Sequence, residues 1–309
     1  MGKIKVEIVT PVHNRREITL QCLRSLARID RENLDIHTIV VDDGSTDGTA
    51  EAVREQFPEV EIVFGDGNLW YTAATNRGFE AALKHDPDYI LAINDDAVFD
   101  EKFLQYLIET AERYAPAIVG GLLILWDTPH KIFQIAPVWR TLEGGWFHWI
   151  QQTVWTIPQK AWEVDLIVGN CVLYPAKALR EVGLMNEKRF PNYGDAEHTP
   201  RMRRSGWRLL IEPRARVFCQ PNNVPPSISQ MSWRKKADAL WFDMKNTHNL
   251  RRRLNGNLDG APNKLTGAAA FLIFMTRVFL KVNAEKISAR NGQAEPPLSE
   301  VFAESVVKD

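Results

Sequence analysis

The 309-residue sequence has few cysteines, almost no net charge and no apolar run long enough to be an obvious membrane span. Its three cysteines, Cys22, Cys171 and Cys219, are too far apart for a zinc-binding pattern or a disulfide framework, so we expect a reducing compartment. A formal net charge of −1 argues against a nucleic-acid partner. The N-terminal stretch MGKIKVEIVTPVHN has only a short apolar run, so we expect no signal peptide and a cytoplasmic location.

One segment, Leu265–Val282, is mostly apolar but contains Arg277 and Lys281. A spanning helix needs about 20 apolar residues, so this segment is marginal; it is also consistent with packing on the main domain or lying in a membrane interface. The basic stretch before it, Trp233–Leu254, has the pattern of a helix that either lies on anionic lipid or closes the domain. We therefore expect that residues 230–282 can make peripheral contact with the inner face of the plasma membrane.

What the chain does contain is an alternation of strand and helix patterns over roughly the first 125 residues, typical of an α/β fold with a mostly parallel sheet. The predicted strands are KVEIVT, HTIVVDD, EIVFG and YILAINDD. We expect side-chain caps at three helix N-termini, from Asn14 with its partner Glu17, from Asp47 and from Asp100.

Polar residues directly follow three of these strands, in Thr10–Asn14, Asp42–Asp43 and Asn94–Asp96. In such sheets, ligands bind at the carboxyl ends of the strands. One polar cluster alone is better explained as a helix cap or a turn. Three clusters at the same edge of one sheet favour a ligand-binding site.

The second half of the chain is less regular. Residues 126–162 are rich in tryptophan, which fits either sugar binding or core packing. The segments that follow are a predicted strand in VDLIVGNCVLY, helices in Pro175–Val182 and YGDAEHTPRMRRSGW, and two short strands, LLIEP and RVFCQ. The prolines of PNNVPPS predict a linker. We expect a main domain of residues 1–225, divided near residue 125, and a helical C-terminal extension of residues 226–309.

Five motifs, in order between about Val6 and Gln220, resemble those of family 2 glycosyltransferases with the Rossmann-like GT-A fold. They are VTPVHNRRE, VVDDGSTDGT, NLWYTAATNRG, LAINDDAVF, and GLMNE followed by YGDAEHTPRMRRSGW. The resemblance implies an inverting hexosyltransferase that uses Mg²⁺ or Mn²⁺ and moves a sugar from a nucleoside-diphosphate sugar to a glycan or lipid-linked acceptor. It implies a nucleotide-binding half in residues 1–125 and an acceptor half in residues 126–225. The GNLW stretch and the GDAE turn are similar to those of bacterial rhamnosyltransferase-like enzymes of surface-polysaccharide assembly.

By this resemblance, Asp96 is the direct metal ligand, Asn94 stands at the second metal-binding position, and Asp95 lies near the sugar or ribose. A bound cation would explain why a core strand ends in carboxylates, which are costly to bury without a partner.

The resemblance also implies the contacts to the nucleotide. His13 stands where the family stacks an aromatic ring on the base, and Asp42 where it binds a uracil- or thymine-like edge. We therefore expect a UDP- or dTDP-sugar donor, although histidine in place of tyrosine leaves the base open. Asp43 is expected to brace the turn. Further donor contacts are implied for Pro11, Asn14, Asn68, Trp70, Asn76 and Arg77.

The resemblance makes Asp195 the candidate general base, with Glu197 as the fallback. Asp195 starts a predicted helix, whose backbone N–H groups would keep it ionised. Gly194 replaces the glutamate that the family usually has there, so the acidic pair is incomplete. Candidate acceptor-binding residues are Trp146, Trp149 and His198.

Other classes of α/β protein fit less well. A nicotinamide dehydrogenase or a sugar-phosphate nucleotidyltransferase would have an early glycine-rich turn, which TPVHNRRE lacks. A processive polysaccharide synthase would bring several spanning helices. A non-catalytic sugar- or nucleotide-binding module of GT-A fold stays open as the alternative. Gly194 supports it, whereas Asp42, Asp96 and Asp195 favour an enzyme.

Overall fold

The computed structural model describes residues 2–134, 138–147, 152–220, 231–244, 246 and 248–290. The strands are β1 Ile4–Val12, β2 Leu34–Asp42, β3 Glu61–Phe64, β4 Tyr89–Ile93, β5 Ala97–Phe99, β6 Ala117–Leu125, β7 Ile132–Gln134, β8 Val138–Arg140, β9 Gly145–Phe147, β10 Trp162–Glu163, β11 Cys171–Pro175 and β12 Arg208–Cys219. The α-helices are α1 Arg16–Leu26, α2 Thr49–Gln56, α3 Trp70–Lys84, α4 Phe103–Arg113, α5 Ala176–Val182, α6 Asp195–Arg204, α7 Trp233–Ala237, α8 Leu250–Gly260 and α9 Lys264–Arg290.

The central sheet is mixed, with the strand order β10-β12-β6-β11-β4-β1-β2-β3. Strands β1 to β4 run parallel to one another, as the alternating strand and helix patterns predict. Strand β11 is antiparallel and lies between β4 and β6, while β12 runs parallel to β6. The carboxyl ends of β1, β2 and β4 therefore meet at one edge of the sheet.

Helices cover both faces of the sheet and bury its apolar side chains. On one face the core includes Leu23 of α1 and Phe103 of α4. On the other face it includes Phe79 of α3, Leu179 of α5 and Met202 of α6. Since β1, β2 and β4 are covered on both sides, their sequences are nearly continuous apolar runs.

Two of the predicted helix caps take a different form. Asn14 has a left-handed backbone, with a φ of 51°, and its Oδ1 accepts a hydrogen bond from the Thr46 N–H at 2.7 Å, not from α1. The carboxylate of Asp47 accepts from the N–H groups of both Arg16, at 3.0 Å, and Thr49, at 3.1 Å. The turn before α2 thus caps the start of α1 as well, a contact between segments that local sequence does not reveal.

The predicted cap at Asp100 is wrong, because its backbone carbonyl, not its carboxylate, accepts from the Phe103 N–H at the start of α4. The strand predicted in VDLIVGNCVLY begins only at Cys171. The two predicted closing strands are one strand, β12, with a register shift between Glu212 and Arg216. This irregularity accommodates Pro213, which has no N–H to donate to a neighbouring strand.

The basic stretch predicted as one helix is broken. Helix α7 runs into a π-helical turn, Asp238–Phe242, and α8 starts after Asn249, whose side chain accepts from the Arg252 N–H at 2.9 Å. Helix α9 packs on α8 and on the 3₁₀ turn Thr141–Glu143. The structure thus shows the packed arrangement for the start of the apolar segment. Within the described ranges, no helix is both long and apolar enough to cross a membrane.

Candidate active site

An open cleft of about 370 Å³ lies where the carboxyl ends of β1, β2 and β4 meet. All three strand-end clusters predicted from the sequence contribute residues to this cleft. The lining residues are Pro11, Val12, His13, Arg15, Asp43, Gly67, Trp70, Tyr71, Ala74, Asn94, Asp95 and Asn192. The position agrees with the ligand-binding edge expected for this kind of sheet.

The floor of the cleft is the short turn Asn94–Asp96 between β4 and β5. Arg15, from the start of the first helical segment, donates from one nitrogen to Asp95 at 2.8 Å and from the other to Asp96 at 3.2 Å. Thr19 adds a longer hydrogen bond to Asp95 at 3.4 Å. One guanidinium therefore compensates two neighbouring carboxylates that would otherwise be costly to bury.

Burial raises the pKa of the Asp95 carboxyl to about 7; Arg15 opposes this rise and the charge of Asp96 adds to it. Two further oxygens of the turn, Asn94 Oδ1 and Asp96 Oδ1, are buried and accept no hydrogen bond from any described residue. Side-chain amide and carboxylate oxygens are the ligands that Mg²⁺ and Mn²⁺ prefer. The oxygen atoms of this turn therefore fit a divalent metal ion.

Asp43 anchors the loop that precedes α3. Its carboxylate accepts hydrogen bonds from the N–H groups of Gly67 at 2.8 Å, Leu69 at 3.0 Å and Trp70 at 3.1 Å. Asp43 was predicted to brace the turn in which it lies, but the loop that it braces is 24 to 27 residues farther along the chain. The anchor places Trp70, which has a left-handed backbone with a φ of 60°, in the wall of the cleft.

His13 is exposed at the mouth of the cleft. Its Nδ1–H donates to the Asp43 carbonyl at 2.6 Å, and its Nε2 accepts from the Asn14 amide at 3.0 Å. These bonds fix the ring orientation. Asp42 does not share this position, because it is buried and its Oδ1 accepts from the Ser45 N–H at 2.8 Å. The predicted contact between Asp42 and a base is not supported by this placement.

Besides Trp70, three predicted donor contacts between Asp43 and β4 lie in different places. Asn76 is buried and points away from the cleft, where its side chain bonds both backbone groups of Met185 and the Glu187 carboxylate. Its predicted donor contact is therefore replaced by a structural one. Arg77 is exposed on α3, about one turn beyond the cleft-lining Ala74. Asn68 is exposed in the loop anchored by Asp43.

Asp195 is the first residue of α6 and is 8% exposed. Its Oδ2 accepts from the Gly169 N–H at 3.0 Å, and the cleft-lining Tyr71 hydroxyl donates to the Gly169 carbonyl at 3.0 Å. A Cβ on residue 169 would stand 2.3 Å from the Tyr71 hydroxyl oxygen, so only glycine fits between the two side chains. Asp195 thus lies directly behind the cleft wall.

Burial raises the pKa of Asp195, and the backbone N–H groups of Gly169 and of the start of α6 only partly oppose this. The backbone donors favour the ionised carboxylate, as expected, but burial of the group acts more strongly in the opposite direction. The raised pKa of Asp195 lies closer to neutral pH, and a general base is most effective when its pKa is near the working pH.

Glu197 has a structural partner. It bonds Arg201 at 2.6 Å, and Arg201 donates in turn to the carbonyls of Val182 and Leu184 at the end of α5. This ion pair holds α6 against α5. Glu197 is thereby committed away from the cleft, so the structure does not support it as the fallback base.

The proposed acceptor-binding residues are not brought together. His198 is fully buried against Phe79 and Tyr174, and its Nε2 donates to the Gly183 carbonyl at 2.9 Å. Burial lowers its pKa to about 4, so the ring is uncharged at neutral pH. Because the side chain is fully buried, it cannot contact an acceptor. Trp146 lies in β9, not in an exposed loop, and lines a separate cavity of about 330 Å³ with residues of the C-terminal end of α6. Trp149 lies outside the described residues.

Comparison with known proteins identifies the family. Residues 7–183, more than half of the chain, match the family model described as Glycosyl transferase family 2. The chain belongs to this family. The resemblance predicted from the five motifs is thereby confirmed.

This family 2 glycosyltransferase is 26% identical over 205 residues to an N-acetylglucosaminyl-diphospho-decaprenol L-rhamnosyltransferase from Mycobacterium tuberculosis (strain ATCC 25618 / H37Rv). The match covers 59% of this chain and 66% of that relative, just under two thirds of its length. The chain is also 26% identical over 246 residues to an N-acetylglucosaminyltransferase from Azorhizobium caulinodans, covering 74% of this chain and 58% of that relative. The predicted similarity to rhamnosyltransferases is confirmed by the first match.

Solved structures show the same GT-A fold. A mannosyltransferase from Pyrobaculum calidifontis, in complex with GDP-Man and Mn²⁺, has a TM-score of 0.57 at 16% identity, covering 99% of this chain and 80% of that one. The S. aureus protein TarS 1–349 in complex with UDP has a TM-score of 0.54 at 13% identity, covering 96% of this chain and 77% of that one. The predicted fold class is confirmed.

Sequence reasoning missed two residues in and beside the cleft. Arg15 has a local signal, since two buried carboxylates require a cation and VTPVHNRRE carries two arginines. No local sequence signal points to Arg252 of α8. Its guanidinium lies 3.4 Å from the centre of the Tyr193 ring, and Tyr193 follows the cleft-lining Asn192. Its charge is close enough to Asp195 to lower that pKa slightly against the dominant effect of burial. The C-terminal extension thus contributes a positive charge beside the cleft.

Proposed function

We propose that this family 2 glycosyltransferase is inverting and metal-dependent, and that it moves a hexosyl group from a nucleoside-diphosphate sugar to a glycan or lipid-linked acceptor in bacterial surface-polysaccharide synthesis. The observation that carries the proposal is the turn Asn94–Asp96. It lines the cleft with Asn94 and Asp95 at the carboxyl ends of parallel strands, and Asn94 Oδ1 and Asp96 Oδ1 are buried without a hydrogen-bond partner among the described residues. The similarity to a rhamnosyltransferase, whose name describes a lipid-linked diphospho-sugar substrate, supports the acceptor class.

Asn94 and Asp96 would hold the Mg²⁺ or Mn²⁺ ion. The bound ion supplies positive charge that neutralises the leaving nucleoside diphosphate. Arg15 keeps Asp95 and Asp96 close together and oriented toward the cleft floor. Asp95, the more deeply buried of the two, faces the cleft beside the position proposed for the sugar or ribose.

The donor base would stack on the exposed ring of His13, and Trp70 and Pro11 would flank it. A UDP- or dTDP-sugar is the proposed donor. Arg77, one turn beyond the cleft on α3, and Asn68 are positioned for the more exposed parts of the donor.

Asp195 is the proposed general base. Its hydrogen bond to Gly169 holds the carboxylate next to the cleft wall, and its raised pKa suits proton removal from the attacking hydroxyl. Direct attack by that hydroxyl on the anomeric carbon inverts the configuration there. A non-catalytic nucleotide-sugar-binding module is the second candidate, favoured by the burial of Asp195 behind Gly169.

The deciding experiment is isothermal titration calorimetry with UDP, dTDP, GDP and CDP, each with and without Mn²⁺. We expect one pyrimidine nucleotide to bind the wild type only with metal, and Asp96→Ala to abolish that binding because it removes a metal ligand. The matched control is Asp35→Ala, which removes an exposed carboxylate at the other end of β2.

The two candidates are separated by turnover. If the nucleotide binds but its sugar is neither transferred nor hydrolysed, the binding module is the better description. If no nucleotide binds under any condition, both candidates fail. Equal metal-dependent binding in wild type and Asp96→Ala would refute the metal assignment alone.

A further inference from the structure

Two histidines and two glutamates form a cluster well away from the cleft. Glu7 of β1 lies directly beside His37 of β2 in the parallel register, Glu61 begins β3, and His85 follows the last residue of α3. Glu7 is near the middle of β1, roughly 17 Å from the carboxyl end of the strand at about 3.3 Å per residue. The cluster is therefore separate from the turn Asn94–Asp96.

Glu7 is the buried member of the cluster, with 7% of its side chain exposed. One carboxylate oxygen lies 2.7 Å from His37 Nδ1 and the other lies 3.1 Å from His85 Nδ1. A buried carboxylate requires donors, and these two ring nitrogens are placed to donate to it. Because a neutral imidazole carries one N–H, donation through Nδ1 leaves a lone pair on each Nε2.

Those two Nε2 atoms face the same oxygen of Glu61. Glu61 Oε2 lies 3.9 Å from His37 Nε2 and 3.6 Å from His85 Nε2. These distances exceed a hydrogen bond, but they are close to the roughly 3.4 Å that separates neighbouring ligand atoms in a tetrahedral zinc site with bonds of about 2.1 Å. The Nε2 atoms of both rings thus lie near one carboxylate oxygen.

The cluster also has the compactness and access that a metal ion needs. Atoms of Glu7, the carboxylate behind the rings, and of His37 and His85 all lie within 4.8 Å of one another, so the two rings are held close together. The side chains of His37 and His85 are 37% and 39% exposed, which allows entry of an ion and leaves room for a water ligand. Imidazole nitrogen favours zinc and related transition metals, whereas Mg²⁺ favours oxygen.

We propose that His37, His85 and Glu61 bind one divalent transition-metal ion of the zinc class, with Glu7 as the carboxylate that orients both rings. A carboxylate that accepts the second N–H of a metal-binding histidine is a recurrent arrangement, and it fixes the ring orientation and the tautomer. The ion joins β2 and β3 to the residue after α3, and Glu7 of β1 holds the two rings from behind. It is independent of the metal proposed for sugar transfer.

The test is calorimetric titration of the full chain, first treated with a chelator, with Zn²⁺ alone and with Mg²⁺ alone. All proteins carry Asp96→Ala, so that the cleft does not contribute. We expect one zinc ion per chain, and at least about a tenfold loss of zinc affinity in His37→Gln and in His85→Gln. Magnesium binding should be equally weak in every variant.

The matched control is His130→Gln, because His130 is a partly buried histidine that packs on Trp155 outside the cluster. It should bind zinc as the parent does. Glu61→Gln provides a variant at a half-exposed position, where folding is least at risk, and it should also lose zinc affinity. Equal zinc affinity in the parent, His85→Gln and Glu61→Gln would overturn the proposal, as would a parent that binds no zinc.

Discussion

At the scale of single residues, the site depends on how buried carboxylates are compensated. Arg15 bonds both Asp95 and Asp96, yet burial still raises the pKa of Asp95 to about 7. Asp43 is satisfied by three backbone N–H groups. Arg201 bonds one oxygen of Glu197, whose other oxygen is buried without a donor among the described residues. Only Asp96 and Asn94, in the described part of the cleft floor, retain buried oxygen atoms without a donor. A bound cation would therefore be stabilised most strongly by contact with these oxygen atoms.

A raised pKa at Asp95 makes stability depend on pH. The folded state holds this proton more tightly than the unfolded state, whose pKa is near 3.8, so folding is favoured most below that value. We expect the free energy of unfolding to fall as the pH rises through the window between this value and about 7, by on the order of a few kcal/mol.

Asp95→Asn should remove this part of the pH dependence. Denaturant titrations at pH values below, within and above the window would measure it. Asp35→Asn, at an exposed carboxylate, should keep the wild-type profile. The interpretation is wrong if Asp95→Asn and wild type lose stability in parallel across the window.

At the scale of elements, the first turn of α6 places three polar residues in three environments. Asp195 lies behind the cleft wall, Glu197 faces α5 and its Arg201 partner, and His198 enters the core. Successive residues on a helix point about 100° apart, so neighbours in the sequence reach different surroundings. The fold of α6 against α5 therefore selects which acidic residue can serve chemistry.

The two carboxylates of α6 should respond differently to removal. Asp195→Asn should reduce kcat by roughly 10²–10⁴-fold with nucleotide binding retained, because it removes the proposed base. Glu197→Gln should keep kcat within a few-fold but reduce stability by about 1–3 kcal/mol, since Arg201 loses its charged partner. Turnover assays and thermal unfolding of both variants check this. A Glu197→Gln protein of normal stability without turnover would reverse the two roles.

At the scale of the whole molecule, the C-terminal extension both contacts a residue beside the cleft and presents an apolar surface. Arg252 of α8 reaches Tyr193 beside the cleft. Farther along the extension, Trp233, Trp241 and Phe242 are 86%, 64% and 77% exposed, next to a basic run that includes Lys235. Exposed aromatic and basic residues together suit the surface of an anionic membrane. This arrangement would keep a transferase close to a lipid-linked acceptor.

Membrane contact predicts that a Trp233→Ser/Trp241→Ser/Phe242→Ser variant loses binding to anionic phospholipid vesicles. Cosedimentation with phosphatidylglycerol vesicles should show the loss, and added salt should weaken wild-type binding, because the basic residues contribute electrostatically. Trp155→Ser, which removes a tryptophan that is 75% exposed on the main domain, is the control. Equal vesicle binding by the triple variant and wild type would show that these three side chains do not contact the membrane.

The family, the GT-A fold and strands β1 to β4 follow from the sequence, because periodicity, turn residues and motif order are properties of neighbouring positions. The strand-end location of Asn94–Asp96 follows for the same reason. Each of these features depends mainly on residues that are close together along the chain.

Only the tertiary structure decided the partner of each polar side chain. It joined Arg15 to Asp95, turned Asn76 toward Met185 and buried His198 beside Phe79. It also united the two closing segments into β12. These outcomes depend on the packing of segments that are distant in the sequence. Burying a polar group without a partner costs free energy, so the folded structure pairs each such group with whichever partner packing brings near. The local sequence pattern does not determine that partner.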